Sequence, residues 1–337
     1  QLIASPRYGR HVPPHGHPER PERAGVFDAV AARWQARGRV VVEPRPATRD
    51  ELARAHAPHY VDGVLALAGR AVTLDPDTFT SAESPAVAEL AAGAACQAVD
   101  LTMAGGGPAL ALVRPPGHHA ERDKAMGFCL FNNAAVAAAH ARAAGLARVA
   151  IVDIDVHHGN GTQWIFYGDA SVLYVSLHQF PYYPGTGAAT EIGRGEGTGA
   201  TVNVPLEAGA TDADYDLVLR EAVLPTLARH APDLLVVSAG FDAHQRDPLA
   251  SMRVSTEGYG TMIARLHHYA AHACEGRLAV VTEGGYDLQA LADCLDLGID
   301  VLDAEASSPA VTRGDSARGR EALGGVERAL GAYWPRA

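Results

Sequence analysis

The sequence predicts an α/β fold in which helices cover both faces of a mostly parallel central sheet. From Pro108 onward, short apolar runs alternate with Ala-rich helical stretches, the pattern typical of βαβ units. No Ser-, Pro- or Gly-rich linker interrupts the 337 residues, and no repeat of about 20 to 50 residues is visible. We therefore expect residues 1–337 to form a single domain, with the motifs at about 11–302 and a C-terminal tail or helix at 307–337.

Each predicted strand is short and apolar, as expected for strands that are buried on both faces of a sheet. In chain order the predicted strands are 40–43, 109–113, 148–153, 171–176, 200–204, 233–238 and 277–282. The predicted helices have lengths that suit crossover connections between parallel strands. They are 58–69, opened by Pro58, then 84–104, 133–144, 212–230, 256–273 and 288–302.

Composition and charge exclude several classes of function. The formal net charge of −11 disfavours direct binding of nucleic acid and favours cationic partners such as peptides or polyamines. Every apolar run is shorter than the ~18 residues that a membrane span needs. The four cysteines lie far apart without a C-x-x-C pair, which favours neither a disulfide framework nor a thiolate zinc site. We expect a cytoplasmic protein that does not bind membranes, and the oligomeric state stays open.

Polar clusters follow five of the predicted strands, at the point where each strand ends. Because the carboxyl ends of parallel strands meet at one edge of a sheet, and ligands of open α/β sheets bind there, we expect these clusters to build one site. The clusters are 114–119, 153–160, 176–178, 240–242 and 283–286.

The second cluster has the composition of a metal site. Asp153, Asp155 and His157 lie at positions i, i+2 and i+4, so an extended backbone would place them on one side. Two carboxylates and an imidazole suit Zn²⁺ and leave a coordination position open for water. If Asp153 instead supports a neighbouring group, Asp242 is the best candidate for the third ligand, since it is an acid that follows an apolar strand. The alternative, a capped turn beside a solvated histidine, is disfavoured by the combined pattern.

Other clusters carry side chains that suit amide hydrolysis. His118 and His119 follow a Pro-Pro-Gly turn, so both imidazoles can face one site and transfer protons. Asp153 and Asn160 are plausible acceptors for their ring N–H groups. Tyr286 follows two glycines, and its phenol could donate a hydrogen bond to a developing oxyanion, an interaction worth about 3 kcal/mol. The alternatives are histidines packed under a lid and a structural tyrosine.

Four motifs in this order resemble the zinc-dependent histone deacetylase family. They are RPPGHH at 114–119, DIDVHHGNGTQ at 153–163, SAGFD at 238–242 and EGGY at 283–286. The chain resembles the class II-like branch of bacterial and eukaryotic members, which includes acetylpolyamine amidohydrolases. The resemblance implies an arginase/deacetylase-like fold. It also implies one Zn²⁺ per chain on Asp155, His157 and Asp242, with Tyr286 polarising the acyl carbonyl.

The resemblance further implies that His118 and His119 handle protons, with Asp153 orienting His118 and Asn160 orienting His119. The class I branch usually has Asp at the position of Asn160. Because a carboxamide supports an imidazolium less than a carboxylate does, we expect His119 to be the general base.

A structural potassium ion is also implied by the resemblance. It would lie near the zinc strand, bound around the backbone of Asp153, Asp155, His157 and Leu177 and by the hydroxyl of Ser176.

Other implied residues belong to the substrate tunnel. Gly127, Phe128 and Tyr183 lie in segments that resemble the loops lining the family's acyl-lysine tunnel, and the two aromatic rings could enclose a methylene chain. Leu249 occupies a position where polyamine-selective relatives can carry an acid, and it offers no charge. Arg23 matches an arginine that lies beneath the zinc and is assigned to the exit of acetate.

These observations predict a zinc-dependent amide hydrolase that removes acetyl or another short acyl group from the ε-amine of acyl-lysine or a similar alkylamine. Its partners would be an acylated lysine peptide or protein, or an acylated small amine. An acetylpolyamine deacetylase would share the catalytic residues and differ at the tunnel mouth. Two further alternatives are a two-metal ureohydrolase, which needs additional bridging ligands, and a non-enzymatic acyl-lysine-binding module, which would be expected to lack a metal ligand or Tyr286.

Overall fold

A parallel sheet forms the centre of the molecule, described here for residues 1–333 of a computed structural model. The described strands are β1 (Leu2–Ile3), β2 (Val41–Val42), β3 (Val72–Asp75), β4 (Thr78–Thr80), β5 (Ala109–Ala111), β6 (Val149–Asp153), β7 (Val172–Gln179), β8 (Thr201–Leu206), β9 (Leu234–Ala239) and β10 (Leu278–Thr282). Eight of these strands pair in the order β2-β1-β5-β10-β9-β6-β7-β8, always in parallel. The two others, β3 and β4, form an antiparallel hairpin.

The helices of residues 1–333 connect these strands. They are α1 (Glu22–Ala36), α2 (Arg49–Ala55), α3 (Pro58–Leu65), α4 (Ser84–Met103), α5 (Asn133–Ala143), α6 (Asn160–Phe166), α7 (Asp212–Val218), α8 (Leu224–His230), α9 (Thr256–Ala273), α10 (Leu288–Asp303) and α11 (Ala317–Leu330). Short 3-10 turns occur at Pro6–Arg10 and Gly195–Gly197. None of the helices in this part of the chain is both long and apolar enough to cross a bilayer.

The sheet separates two apolar cores. In β6, Ala150 and Val152 face one core, whereas Val149 and Ile151 face the other. The first core is completed mainly by α1, α7, α9, α10 and α11, and the second by α2, α3, α4 and α5. Because β6 is buried along its whole length, its sequence is apolar up to its last residue, Asp153. Each fully buried Val or Ile contributes about 1.5 to 3 kcal/mol.

Side-chain caps fix where the helices near the sheet edge begin. The side chain of Asn132 accepts the N–H of Ala135 at the start of α5, at 2.9 Å. Asp287 accepts the N–H of Ala290 at the start of α10, at 2.7 Å. Such caps satisfy backbone donors that have no partner within the helix. As a result, the loops that precede α5 and α10 end at defined positions beside the sheet edge.

The predicted α/β class is confirmed, and the predicted strand starts at 109, 148, 171, 200, 233 and 277 agree with the structure to within one residue. The prediction of one continuous helix over 212–230 is wrong, because a π-helical turn at Leu219–Val223 separates α7 from α8. Pro225 lies in the first turn of α8 and has no N–H to donate to the carbonyl of Glu221, four residues earlier. The α-helical hydrogen-bonding pattern therefore cannot continue through this segment.

Several elements were not predicted from the sequence. The missed elements are β1, α1, α2, α6 and the hairpin of β3 and β4. The tail or helix predicted for 307–337 contains α11 at Ala317–Leu330, while residues 334–337 lie outside the described residues. The hydrophobic side of α11 packs into the first core through Leu323 and Val326.

Candidate active site

The five polar clusters meet at the carboxyl edge of the sheet. Asp153, at the end of β6, pairs in register with Ser176 of β7 and with Ser238 of β9. The end of β10 lies beside the end of β9, where Thr282 pairs with Ala239. Consequently, loops from distant parts of the chain enter one small region.

Asp155, His157 and Asp242 form a compact group of potential metal ligands. One ligand atom from each residue lies within 4.8 Å of the other two. His157 Nδ1 is 3.1 Å from Asp155 Oδ1 and 3.1 Å from Asp242 Oδ2. Both carboxylates are fully buried, and within residues 1–333 neither forms an ion pair with Lys or Arg.

This group of side chains fits a divalent cation. Burial and the charge of Asp155 raise the pKa of Asp242 to about 7, since two buried carboxylates are not easily ionised together without a counter-charge. Backbone N–H groups hold the carboxylates in place: Gly284 N donates to Asp155 Oδ2 at 2.9 Å, and Val156 N donates to Asp242 Oδ1 at 2.8 Å. Two carboxylates and one imidazole match a zinc site that keeps a position open.

His118 and His119 lie beside this group, with ring centroids 4.0 Å apart. His118 Nδ1 is 3.0 Å from Asp153 Oδ2, and His119 Nδ1 is 2.8 Å from Asn160 Oδ1. Because an oxygen atom engages each Nδ1, the Nε2 atoms are left for proton transfer. The two pairs of residues expected from the sequence therefore lie within hydrogen-bonding distance, and their orienting role stays a prediction.

The two histidines differ in basicity. Burial would lower the pKa of His118, but the negative charges of Asp155 and Asp153 outweigh burial and hold the pKa above its usual range. Burial and the neighbouring imidazoles of His118 and His157 lower the pKa of His119 well below its usual value. At neutral pH, His119 is therefore suited to accept a proton and His118 to donate one.

A cavity of about 90 Å³ leads to these residues. It is lined by Asp77, Pro116, His118, His119, Gly127, Phe128, His157, Tyr183, Leu249 and Tyr286. Tyr183 is 36% exposed and marks the rim, whereas Tyr286 is 8% exposed. The Phe128 and Tyr286 rings meet edge to face with centroids 5.9 Å apart. All four residues predicted for the tunnel line this cavity.

A protein-family model matches most of this chain. The model is that of the Histone deacetylase domain, and it matches residues 17–302. The chain belongs to the histone deacetylase family. The predicted family is therefore confirmed.

Individual deacetylase relatives are similar over most of the chain. Histone deacetylase 15 of Arabidopsis thaliana is 43% identical over 294 residues, which cover 85% of this chain and 52% of the relative. This chain thus spans about half the length of that relative. The histone deacetylase-like amidohydrolase of Pseudomonas aeruginosa is 42% identical, with 80% of this chain and 73% of the relative covered.

Polyamine deacetylase HDAC10 of Homo sapiens is 37% identical, with 94% of this chain and 49% of the relative covered. Among solved structures, the crystal structure of the HDA15 HD domain has a TM-score of 0.91 and 38% sequence identity, and the match covers 99% of this chain and 94% of that chain. The similarity of the deacetylase fold therefore extends over nearly all of the chain.

Glu283 supports the histidine pair of the deacetylase domain, a role that the sequence analysis did not assign. Its Oε2 accepts the N–H groups of Gly117, at 2.5 Å, and His118, at 3.2 Å. Its Oε1 accepts the hydroxyl of Ser238 at 2.7 Å. The carboxylate thereby fixes the loop that carries both imidazoles. The rule that selected Asp242, an acid directly after an apolar strand, could also have selected Glu283.

Asp247 supports Tyr286 in a similar way and was also not assigned. Its Oδ2 accepts the N–H groups of Tyr286, at 2.6 Å, and Asp287, at 3.2 Å. Its Oδ1 accepts the N–H of Leu249 at 3.0 Å. One buried carboxylate therefore positions both the tyrosine at the floor of the cavity and the leucine on its wall.

Arg23 is fully buried behind the floor of the cavity. Its Nε donates to the carbonyl of Gly285 at 2.8 Å, and its guanidinium also donates to the carbonyl of Glu283 at 2.5 Å and to Glu19 Oε1 at 2.9 Å. Its Cζ lies 5.1 Å from the centre of the Tyr286 ring. The structure thus places Arg23 next to Tyr286, while its role in acetate exit stays a prediction.

The residues predicted for a potassium ion lie together. Ser176 and Leu177 belong to β7, directly beside the end of β6 and the segment that follows it. The hydroxyl of Ser176 is 2.9 Å from His178 Nδ1. The proximity agrees with the expected arrangement, and the ion itself stays a prediction.

A second group of potential ligands, Glu51, Cys96 and His140, lies at the packing of α2, α4 and α5. Arg45 already donates two hydrogen bonds to Glu51, at 2.7 and 2.9 Å. Arg54 approaches His140 Nδ1 at 3.0 Å. Because guanidinium groups supply the positive charge here, we interpret this group as an ion-pair cluster.

Proposed function

We propose that this deacetylase-family chain is a zinc-dependent amide hydrolase that removes acetyl or other short acyl groups from the ε-amine of acyl-lysine or a similar alkylamine. One observation carries the proposal. The buried group of two carboxylates and one imidazole adjoins a cavity that is also lined by a histidine pair and Tyr286. Such a cavity offers ligands for a metal, groups for proton transfer and a donor for an oxyanion in one place.

Asp155, His157 and Asp242 would hold one Zn²⁺ per chain. When bound, zinc would polarise the amide carbonyl and make water more acidic. We also propose a structural K⁺ around Asp153, Asp155, His157, Ser176 and Leu177. A single domain over residues 1–337 and a cytoplasmic location likewise stay predictions.

The histidine pair would move the protons. His119 Nδ1 is occupied by the oxygen of Asn160, so its Nε2 can accept a proton from the attacking water. His118 Nδ1 lies 3.0 Å from the buried carboxylate of Asp153, which favours the protonated ring, so His118 can donate a proton to the leaving amine. Different partners thus supply an acid and a base from the same residue type.

Tyr286 would stabilise the oxyanion that forms as water attacks the carbonyl. Burial raises the pKa of its phenol well above the usual value, so the O–H group stays protonated and available as a donor. The hydrogen bonds of Asp247 to the backbone hold this residue at the cavity floor. An oriented donor of this kind contributes about 3 kcal/mol to the transition state.

The cavity supports an alkyl amine as substrate. Phe128 and Tyr183 both line it, and apolar ring surfaces favour a methylene chain by about 0.8 kcal/mol per buried CH₂ group. Asp77 adds a carboxylate to the lining, and the chain carries a net charge of −11. Both charges favour a cationic peptide or amine over an acidic substrate.

A substrate panel tests the proposal. We expect the zinc-loaded protein to hydrolyse acetyl-lysine peptides, to lose this activity after chelation and to regain it when Zn²⁺ is restored. The panel should include longer acyl-lysines, acetylpolyamines and small acetylated metabolites, and bound metal should be counted by elemental analysis. A folded, zinc-loaded protein that cleaves none of these amides would contradict the proposal. Two manganese ions per chain would favour the ureohydrolase alternative.

An acetylpolyamine deacetylase is the second candidate, and the similarity to human polyamine deacetylase HDAC10 favours it. Leu249 offers no charge for a distant ammonium group. We expect Leu249→Glu to increase kcat/KM for acetylspermidine roughly tenfold relative to an acetyl-lysine peptide, which corresponds to about 1.4 kcal/mol of new attraction. The substitution leaves intact the backbone contacts of Leu249 with Asp247 and Tyr182.

Leu249→Gln is the matched control for this experiment, since it has a similar shape to Glu and no charge. An equal change of selectivity in both variants would show that charge at this position does not distinguish the substrates.

A further inference from the structure

We propose that Glu121 is a positioning residue for His119 and acts through the carboxamide of Asn160. The inference rests on the proposed function, in which His119 is the general base. The three side chains form one continuous chain of contacts: His119 Nδ1 lies 2.8 Å from Asn160 Oδ1, and Asn160 Nδ2 donates to Glu121 Oε1 at 2.8 Å. Among the side-chain contacts described for residues 1–333, the carboxylate of Glu121 reaches the ring of His119 through this amide.

The argument depends on the two different ends of the Asn160 side chain. A carboxamide has an oxygen that only accepts hydrogen bonds and an NH₂ group that only donates, and rotation by about 180° exchanges them. An ionised carboxylate can only accept. Glu121 therefore requires the NH₂ group of Asn160 on its own side, which directs the Asn160 oxygen towards His119.

This orientation decides which nitrogen of His119 carries the proton. With an oxygen acceptor beside it, Nδ1 of the neutral ring must carry the hydrogen, and Nε2 keeps its lone pair. If the carboxamide were reversed, its NH₂ group would face Nδ1, and the neutral ring would place its proton on Nε2. A ring in that form cannot accept a proton at Nε2.

The remaining neighbour of the carboxamide cannot replace Glu121. Asn160 Nδ2 is also 3.3 Å from the sulfur of Met126, but a thioether is a weak acceptor. The carboxylate is thus the stronger determinant of the orientation.

Glu121 is itself well placed for this role. Its backbone is fixed on both sides, because its N–H donates to the carbonyl of Lys124 at 2.9 Å and its carbonyl lies 2.9 Å from His56 Nδ1. The residue is partly exposed, whereas Asn160 is buried. Substitutions of Glu121 therefore change the contact with Asn160 without opening the core.

Two substitutions and their combination test the proposal. Glu121→Gln keeps the shape of the side chain but allows it to donate as well as accept, so the orientation of Asn160 is no longer imposed. We expect kcat on an acetyl-lysine peptide to fall at least about tenfold with KM nearly unchanged, because only proton transfer is affected. Asn160→Asp alone should also lower kcat. It replaces the NH₂ group that donates to Glu121 with a carboxylate oxygen, and two adjacent carboxylates repel each other.

In the double variant, Asn160→Asp should raise kcat instead of lowering it. In the Glu121→Gln background, Asn160→Asp presents an acceptor oxygen to His119 in either orientation and leaves the other oxygen to accept from the glutamine. We expect the kcat of this variant to exceed that of Glu121→Gln alone but to stay below the parent value, because a carboxylate at this position also favours the protonated form of His119. Asn160→Asp would then lower kcat when Glu121 is present and raise kcat in the Glu121→Gln background. A general loss of stability would not make the effect of one substitution depend on the other in this way.

A second readout does not depend on turnover. The ¹⁵N NMR shifts of labelled histidine report whether Nδ1 or Nε2 is protonated, and the His119 signals can be assigned from their absence in a His119→Asn sample. We expect the Nδ1–H form in the parent protein and a population of the Nε2–H form in Glu121→Gln. Asp123→Asn is the matched control, because Asp123 is an exposed carboxylate in the same loop; it should change neither kcat nor the shifts.

The proposal is overturned if Glu121→Gln keeps both the kcat and the Nδ1–H form of the parent protein. It is also overturned if Asn160→Asp is equally harmful in both backgrounds. A parent protein without any amide hydrolase activity would contradict the proposed function, and the ¹⁵N shifts would then decide the positioning role by themselves.

Discussion

Tyr286→Phe is expected to lower kcat about 10²- to 10³-fold, the effect of removing one oriented oxyanion donor. The substitution removes only the phenolic oxygen. The ring contacts with Phe128 and the guanidinium of Arg23 are kept, so neither the fold nor the metal content should change. The loss should appear in kcat more than in KM, because the hydrogen bond strengthens as negative charge develops on the carbonyl oxygen. Steady-state kinetics on an acetyl-lysine peptide would measure it.

Tyr167→Phe provides the control for this variant. Tyr167 packs against Trp164, with ring centroids 4.8 Å apart, outside the residues that line the cavity. Equal rates for the parent protein and Tyr286→Phe, at equal zinc content, would remove Tyr286 from the proposed mechanism.

Asp242→Asn should abolish measurable hydrolysis and reduce bound zinc from about one ion per chain to nearly none after dialysis. An amide is a much weaker zinc ligand than a carboxylate, so the remaining two ligands would not hold the ion. Zinc content by elemental analysis, measured beside activity, would test this. Cys96→Ala is the matched control: Cys96 belongs to the other ligand-like group, and its loss should leave the zinc content unchanged.

The metal-free protein offers an independent check on the same residue. Burial and Asp155 raise the pKa of Asp242 to about 7, above the unfolded value of about 4. Between these two values the folded state binds more protons, so this contribution to stability is complete below pH 4 and is lost as the pH rises towards 7. The Tm of the chelated parent protein should therefore fall as the pH rises over this range. We expect the Tm of chelated Asp242→Asn to fall less over the same range. An unchanged pH profile would contradict the assignment of this pKa to Asp242.

The sequence was most informative where polar residues follow apolar strands. Asp155, His157 and Asp242 could be selected because acids and histidines directly after buried strands must lie at the carboxyl edge of a parallel sheet. The spacing did not distinguish Asp153 from Asp242 as the third ligand. The geometry favours Asp242, which lies close to Asp155 and His157, whereas Asp153 Oδ2 is engaged by His118, at 3.0 Å, and by the hydroxyl of Tyr174, at 3.1 Å.

Not every supporting residue could be predicted in the same way. Glu283 directly follows an apolar strand, so the same rule could have selected it. Asp247 lies in a loop and accepts backbone N–H groups, and a backbone donor leaves no pattern in the sequence. Arg23 was selected only through the family resemblance, because its surroundings in the sequence do not indicate that its partners include carbonyls more than 250 residues away. Two-residue strands such as β1 are too short for any hydrophobic period to be detected.

The strand order also has a consequence for synthesis of the chain. The sheet consists of one part with β2, β1 and β5 and another with β9, β6, β7 and β8, and within residues 1–333 the two parts are joined only by β10. Because Leu278–Thr282 is the last of these strands to leave the ribosome, both parts keep an open edge until then. The proposed metal ligands follow β6 and β9 in one part, and the histidine pair follows β5 in the other. The candidate site is therefore brought together only when β10 has paired with both parts.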